Sequence, residues 1–127
     1  MSGFFVQLED ASLQNNNFRQ VLFTAPHCQL VLMSLLPNEE IGMEVHPDND
    51  QFIRIEQGTG EAIIDGQRWS LADGSAVVIP AGAQHNIINT SATEAMKLYT
   101  VYSPAHHPDG TVHPTKADAL AAEAQEA

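Results

Sequence analysis

A chain of 127 residues is one domain of ordinary size, and with 43% apolar residues it can bury a core rather than stay disordered. Its formal net charge is −11, and its five basic residues (Arg19, Arg54, Arg68, Lys97, Lys116) are scattered. Phosphate-binding surfaces need clustered Lys or Arg, so nucleic acid and anionic membranes are excluded as partners. No apolar stretch approaches the roughly 20 residues that span a bilayer, and no basic-then-apolar leader is seen. The single cysteine, Cys28, excludes an intrachain disulfide. A cytoplasmic protein is expected, with Cys28 as a buried, inert thiol.

Taken in chain order, the first 17 residues end in the polar tract Gln14-Asn15-Asn16-Asn17 and read as a loop. Short strands follow: Phe18–Thr24, Gln29–Leu36, Ile41–His46, Gln51–Gln57, Glu61–Ile64, Gln67–Leu71, Ser75–Ile79, His85–Thr90 and Ala95–Ser103. Clusters of Gly, Pro, Asn and Asp separate them. Asp65-Gly66 between Ala62-Ile63-Ile64 and Arg68-Trp69 is a two-residue hairpin signal. Many short, evenly spaced strands predict an all-β sandwich or closed barrel.

Alternation assigns faces. Phe52, Arg54 and Glu56 carry the charges of their strand, so Gln51, Ile53 and Ile55 point inward. Lys97 places Met96, Leu98, Thr100 and Tyr102 on the inner face. The run Gln29–Leu36 is apolar on both parities and needs cover on both sides. A second subunit would supply it, so a homodimer is expected. After Ser103 the chain becomes a loop carrying His106, His107 and His113. Thr115 is the predicted N-cap of an Ala-rich helix running to Ala127. The whole chain, residues 1–127, reads as one domain, with a core at about 18–103 and a loop and short helix over 104–127.

Two stretches carry chemistry. Gly74, Pro80, Gly82, His85 and Asn89 form G-x5-P-x-G-x2-H-x3-N. Upstream stands Glu44-x-His46-x4-Gln51-x6-Gly58. Glu44 and His46, two apart on a strand, leave the same face. The Pro47–Asp50 turn reverses the chain and places Gln51, on its inward parity, across the ladder from His46. His85 follows the Pro80–Gly82 turn. Two imidazoles, a carboxylate and an amide oxygen suit Zn, Ni, Mn, Fe or Co. Asp48 and Asp50 are weaker oxygen candidates, since one sits in the turn and the other shares parity with Arg54. Gly58, Gly74 and Gly82 are read as turn residues, and Arg54 and Arg68 as solvated.

These motifs resemble those of the cupin superfamily, in particular its small single-domain, RmlC-like members. The second motif matches in full. The first, G-x5-H-x-H-x3,4-E-x6-G in the family, is matched in spacing, but Glu44 replaces its first His, Gln51 replaces its Glu, and Gly42 is displaced. The resemblance implies a double-stranded β-helix, or jelly-roll, barrel with a short C-terminal helix. It also implies one divalent transition metal ion held by Glu44, His46, Gln51 and His85. The two departures leave the ligand set with one negative charge, as in the family, which argues for a retained metal. Met96, Tyr102, His106, His107 and His113 are candidate pocket residues, the histidines if the tail folds over the barrel mouth.

The resemblance then implies a metal-dependent enzyme, of isomerase, tautomerase or dioxygenase type, acting on a small oxygen-rich molecule such as a sugar derivative. The alternative is a small-molecule or sugar-binding module without turnover. No catalytic base is identifiable from the sequence, and neither substrate nor metal is named by it.

Overall fold

The computed structural model describes residues 2–126. Ten strands and two helices follow the chain as α1 (Leu8–Gln14), β1 (Arg19–Thr24), β2 (Gln29–Leu35), β3 (Glu44–Val45), β4 (Asp50–Gln57), β5 (Gly60–Ile64), β6 (Gln67–Leu71), β7 (Ala76–Ile79), β8 (Gln84–Asn89), β9 (Met96–Ser103), β10 (Val112–His113) and α2 (Lys116–Glu126). They form two antiparallel sheets, one ordered β10-β1-β2-β9-β4-β7 and the other β3-β8-β5-β6. This is the expected jelly roll. It is not closed by hydrogen bonds, because β6 and β7 are free edges of different sheets.

Period-two alternation builds the core. Gln51, Ile53 and Ile55 of β4 are buried while Phe52, Arg54 and Glu56 are only half-buried. Met96, Leu98, Thr100 and Tyr102 of β9 are all buried. With Val31, Met33, Leu35, Ile79 and Ile87 these side chains fill the space between the sheets, each fully buried Leu or Ile contributing about 1.5–3 kcal/mol. The hairpin at Asp65-Gly66 forms with both residues at positive φ, 46° and 81°, which suits a type I′ turn.

Gly60 has a packing role. A Cβ there would run into the backbone carbonyl oxygen of Ile88 on the neighbouring strand and the tip of Met96. The Met96 tip can move, whereas the carbonyl is held in the ladder. Gly60→Ala is therefore expected to destabilise the fold by about 1–3 kcal/mol, the usual cost of overpacking. Urea denaturation showing parent-like stability would contradict this.

Several expectations are corrected. The N-terminal segment is not all loop: Leu8–Gln14 forms α1, which lies against β2, β4 and β9. Leu32 and Ser34 on the outer face of β2 are therefore buried within one chain, and the apolar run needs no second subunit over its middle. Lys97 does point outward, but into this cover. Its ammonium donates to the Asn15 carbonyl, Asn16 Oδ1 and Ser34 Oγ, and burial lowers its pKa. Cys28 is exposed, not buried, because it sits in the tight β1–β2 turn closed by Ala25 N–H donating to the Cys28 carbonyl at 2.8 Å. The strand expected over Ile41–His46 shortens to Glu44–Val45.

After Ser103 the chain adds β10, an unpredicted edge strand on β1. The expected helix appears as α2. Thr115 caps it: its Oγ1 accepts from Asp118 N–H at 3.1 Å, and its own N–H donates to Asp118 Oδ2 at 3.1 Å. Ala127 lies outside the described residues. Among those described, no helix is long and apolar enough to cross a membrane.

Candidate metal centre

Three ligand-type side chains converge inside the fold. The ligand atoms of Glu44, His46 and His85 all lie within 4.8 Å of one another. Glu44 on β3 is the direct ladder partner of His85 on β8. His46 follows immediately, its carbonyl accepting from Gly82 N–H at 3.0 Å. That bond ties the end of β3 to the turn that launches β8.

Gln51 arrives from the other sheet, and here the sequence reading needs correction. Gln51 is not across a ladder from His46. Its ladder partners are Ile79 and Tyr102, while β3 pairs with β8. The Pro47–Asn49 linker crosses from one sheet to the other instead of making a hairpin, so Gln51 faces the histidines across the interior. Its Nε2 donates to Thr100 Oγ1 at 3.0 Å, and its Oε1 is buried without a hydrogen-bond partner among the described residues.

The polar atoms of the site are poised and underused. His46 Nε2 and His85 Nε2 are buried and, like Gln51 Oε1, have no hydrogen-bond partner among the described residues. Glu44 Oε1 stands 3.4 Å from the first and 3.9 Å from the second. His85 Nδ1 lies 3.0 Å from the Ala83 carbonyl oxygen. A carbonyl can only accept, so Nδ1 carries the proton and Nε2 presents its lone pair to the cluster, the arrangement a metal-ligating histidine uses. Buried polar atoms without partners cost about 1–3 kcal/mol each, and one cation held beside Glu44 would satisfy both imidazole nitrogens. Burial works to raise the Glu44 pKa, but the neighbouring His46, then the charges of His85 and Arg19, bring it below the ordinary value of 4.5. A carboxylate, two imidazoles and an amide oxygen fit a divalent transition metal ion.

Asp48 is exposed in the linker. Asp50 is exposed as well, its Oδ1 accepting from Ala81 N–H at 2.9 Å. Neither belongs to the cluster.

The tail comes to the same end of the sheets. The His106 ring centroid lies 4.1 Å from that of His46, and the Tyr102 ring packs edge-on to His46 at 5.7 Å. His107 Nε2 is 3.4 Å from the Tyr102 hydroxyl. Burial pushes the Tyr102 phenol well above its ordinary pKa, so the hydroxyl stays protonated. His113 is paired with Arg19 on β1 and is not one of the clustered ligand residues. Met96 is not brought to the site. It is six residues from Tyr102 along β9, about 20 Å in an extended strand, and it packs against Gly58.

Gln29 and Arg19 were not singled out by the sequence reading. Gln29 is fully buried; its Oε1 accepts from His106 N–H and His107 N–H, and its Nε2 donates to the His107 carbonyl and Thr24 Oγ1. It fastens the tail over the site. Gln29→Leu should free the 104–114 segment, seen as faster amide exchange there; unchanged exchange would refute the role. The available signal was a polar residue on the inward parity of β2, beside Val31 and Met33.

On the open side, between β6 and β7, a cleft of about 390 Å³ is lined by Ile64, Trp69, Leu71 and Val77 among others. Ile64 is the ladder partner of His85, which sets the inner end of this apolar cleft beside the cluster.

Residues 31–102 match the family model Cupin_2, described as a cupin domain. The uncharacterized protein YrkC of Bacillus subtilis is 51% identical over 127 residues, covering 94% of this chain and 67% of that protein. The uncharacterized protein L612 of Acanthamoeba polyphaga mimivirus is 50% identical over 112 residues, covering 86% and 70%. Among solved structures, BH2720 from Bacillus halodurans superposes with a TM-score of 0.92 at 42% identity, covering 94% of this chain and 95% of that one.

Proposed function

Since this chain belongs to the cupin domain family, we propose that it is a mononuclear metal cupin acting on a small oxygen-rich molecule such as a sugar derivative. Glu44, His46, Gln51 and His85 would hold the ion. The observation that carries the reading is the convergence of His46 Nε2 and His85 Nε2, both buried without a hydrogen-bond partner among the described residues, on the Glu44 carboxylate, with Gln51 Oε1 a further buried oxygen on the inward face of β4. A divalent ion held there supplies Lewis acidity to an oxygen of the substrate.

The chain's own residues do the rest. Tyr102 and Gln51 form a cross-strand pair on the inner wall, and Thr100 holds the Gln51 amide through its Nε2 so that Oε1 stays free for the ion. His106, exposed and against His46, is the proton-transfer candidate for an isomerase or tautomerase reaction. The cluster's two histidines and one carboxylate also match the donor types of non-haem iron oxygenases, so metal identity separates the two enzyme classes. Elemental analysis of protein purified without an affinity tag is the test. Zinc supports isomerase or tautomerase chemistry, iron supports dioxygenation, and a metal-free protein that takes up no divalent ion overturns the reading.

A second reading, ligand binding without turnover, is favoured by the way Gln29 and the edge-on rings of His106 and His107 close the tail over the cluster. Proton NMR of the metal-loaded protein with hydroxy- and keto-sugar derivatives distinguishes them: line broadening without product formation selects the binding module.

A further inference from the structure

Arg19 is only 2% exposed. It shares the inward parity of Val21 on β1, and its ladder partner is Met33 of the core. The strand therefore carries a permanent cation into the interior, where an uncompensated charge is costly. Its compensation is thin. Nη1 lies 3.4 Å from Glu123 Oε1 on α2 and 3.4 Å from His113 Nδ1, while Nε is buried with no hydrogen-bond partner among the described residues. Well-formed guanidinium–carboxylate pairs are bidentate, at about 2.7–2.9 Å. Two long contacts from Nη1, one of them to a side chain that is 48% exposed, and the Phe18 ring 5.3 Å from the guanidinium carbon still leave Nε unused. The Arg19 charge also helps to hold the Glu44 carboxyl below its ordinary value.

We propose that Arg19 is the recognition site for a carboxylate of a small organic acid bound inside the barrel, and that Glu123 holds the place of that carboxylate until the ligand arrives. The chain's own carboxylate at the fork shows which group the guanidinium selects. Helix α2, which brings Glu123, has Ala119 as its buried residue among those described, so little apolar burial opposes its departure. A ligand carboxylate pairing with both Nε and Nη satisfies the orphaned donor and releases Glu123 to water, where half of its side chain already lies. The inference rests on the barrel interior being the ligand site, as proposed above, and names the class of ligand.

The probe is succinate, titrated calorimetrically into the chelator-treated and the zinc-loaded protein, with succinamide as the uncharged control. The parent should bind succinate and not succinamide. Glu123→Gln, a change at a half-exposed side chain, should bind succinate severalfold more tightly because the internal competitor has lost its charge. Arg19→Met should bind it at least about tenfold more weakly while keeping parent-like zinc affinity. Succinate should also speed amide exchange over Lys116–Glu126 in the parent. The proposal is overturned if Arg19→Met binds succinate like the parent, if Glu123→Gln binds it no more tightly, or if neither the parent nor Glu123→Gln binds it. Should Arg19→Met fail to fold, the Glu123→Gln titration and the exchange experiment decide alone. Zinc uptake is scored separately, so loss of the metal reading with retained succinate binding leaves this site standing, and the reverse pattern sinks it alone.

Discussion

His85→Ala, purified without an affinity tag, is expected to lose at least about 100-fold in affinity for divalent transition ions. Even partners one shell removed from a metal are worth 10–100-fold, and His85 presents its Nε2 directly, locked by the Ala83 carbonyl. His46→Ala should behave alike. Asp50→Ala should leave the affinity unchanged, because its carboxylate faces outward and bonds the Ala81 amide. Gln51→Glu is the more informative change. It places a second negative charge opposite Glu44, so cation affinity should rise and Lewis acidity fall. The double change Glu44→His with Gln51→Glu returns the family's usual ligand set with one negative charge and should bind metal normally. Equilibrium metal titration of the parent, the single Gln51→Glu variant and the double variant decides; a double variant that binds no metal, beside a parent that does, would end the idea of a matched exchange.

The second large effect is on acid stability. Burial, then the charges of Arg19, His106, His46 and His113, push the His107 imidazole from 6.5 down to about 2. Unfolded His107 takes up its proton near pH 6.5, while folded His107 does not until about pH 2. The unfolded state therefore binds more protons across that window. The stability that neutral His107 permits is complete above 6.5 and drains away as pH falls, at a limiting slope of about 1.4 kcal/mol per pH unit. By pH 4.5 the loss is about 2–3 kcal/mol. Glu44, with its lowered pKa, acts in the same direction, but only below its ordinary 4.5. Urea denaturation from pH 7.5 to 4.5 with chelator present, on the parent and His107→Gln, isolates the contribution. The variant should show a shallower fall; parallel curves would mean His107 accepts its proton in the folded state. Because the tail is held by few groups, Gln29 and Asn49 among them, detachment of the 104–114 segment should precede global unfolding. Amide exchange in that segment should therefore rise first.

The strands were legible because each states its own periodicity. Gln51, Ile53 and Ile55 alternate with Phe52, Arg54 and Glu56, and a period of two needs no knowledge of neighbours to say which side is buried. Turn chemistry is local in the same way, as Asp65-Gly66 shows. The motif residues Glu44, His46 and His85 could be set on one interior because strand parity and turn positions are both local. Helix α1 was missed because its seven residues carry mixed polar character and no side-chain cap at Gln7. It forms because its apolar positions cover the outer faces of β2 and β9, a tertiary reason.

A few consecutive residues suffice to set where most strands fall along the chain, the face most side chains take and the identity of the candidate ligands. Which strands become neighbours was decided only in the folded chain. Pairing joins residues far apart in sequence, such as Arg19 with His113 and Gln51 with Tyr102, and parity does not encode a partner. The same physics placed Gln51 on the sheet opposite His46, covered Lys97 with α1 and buried Arg19 under α2. Gln51 and Lys97 have the faces their alternation predicts, whereas Arg19 is a charge on an inward row. The environment of each comes from the segment that distant packing lays over it.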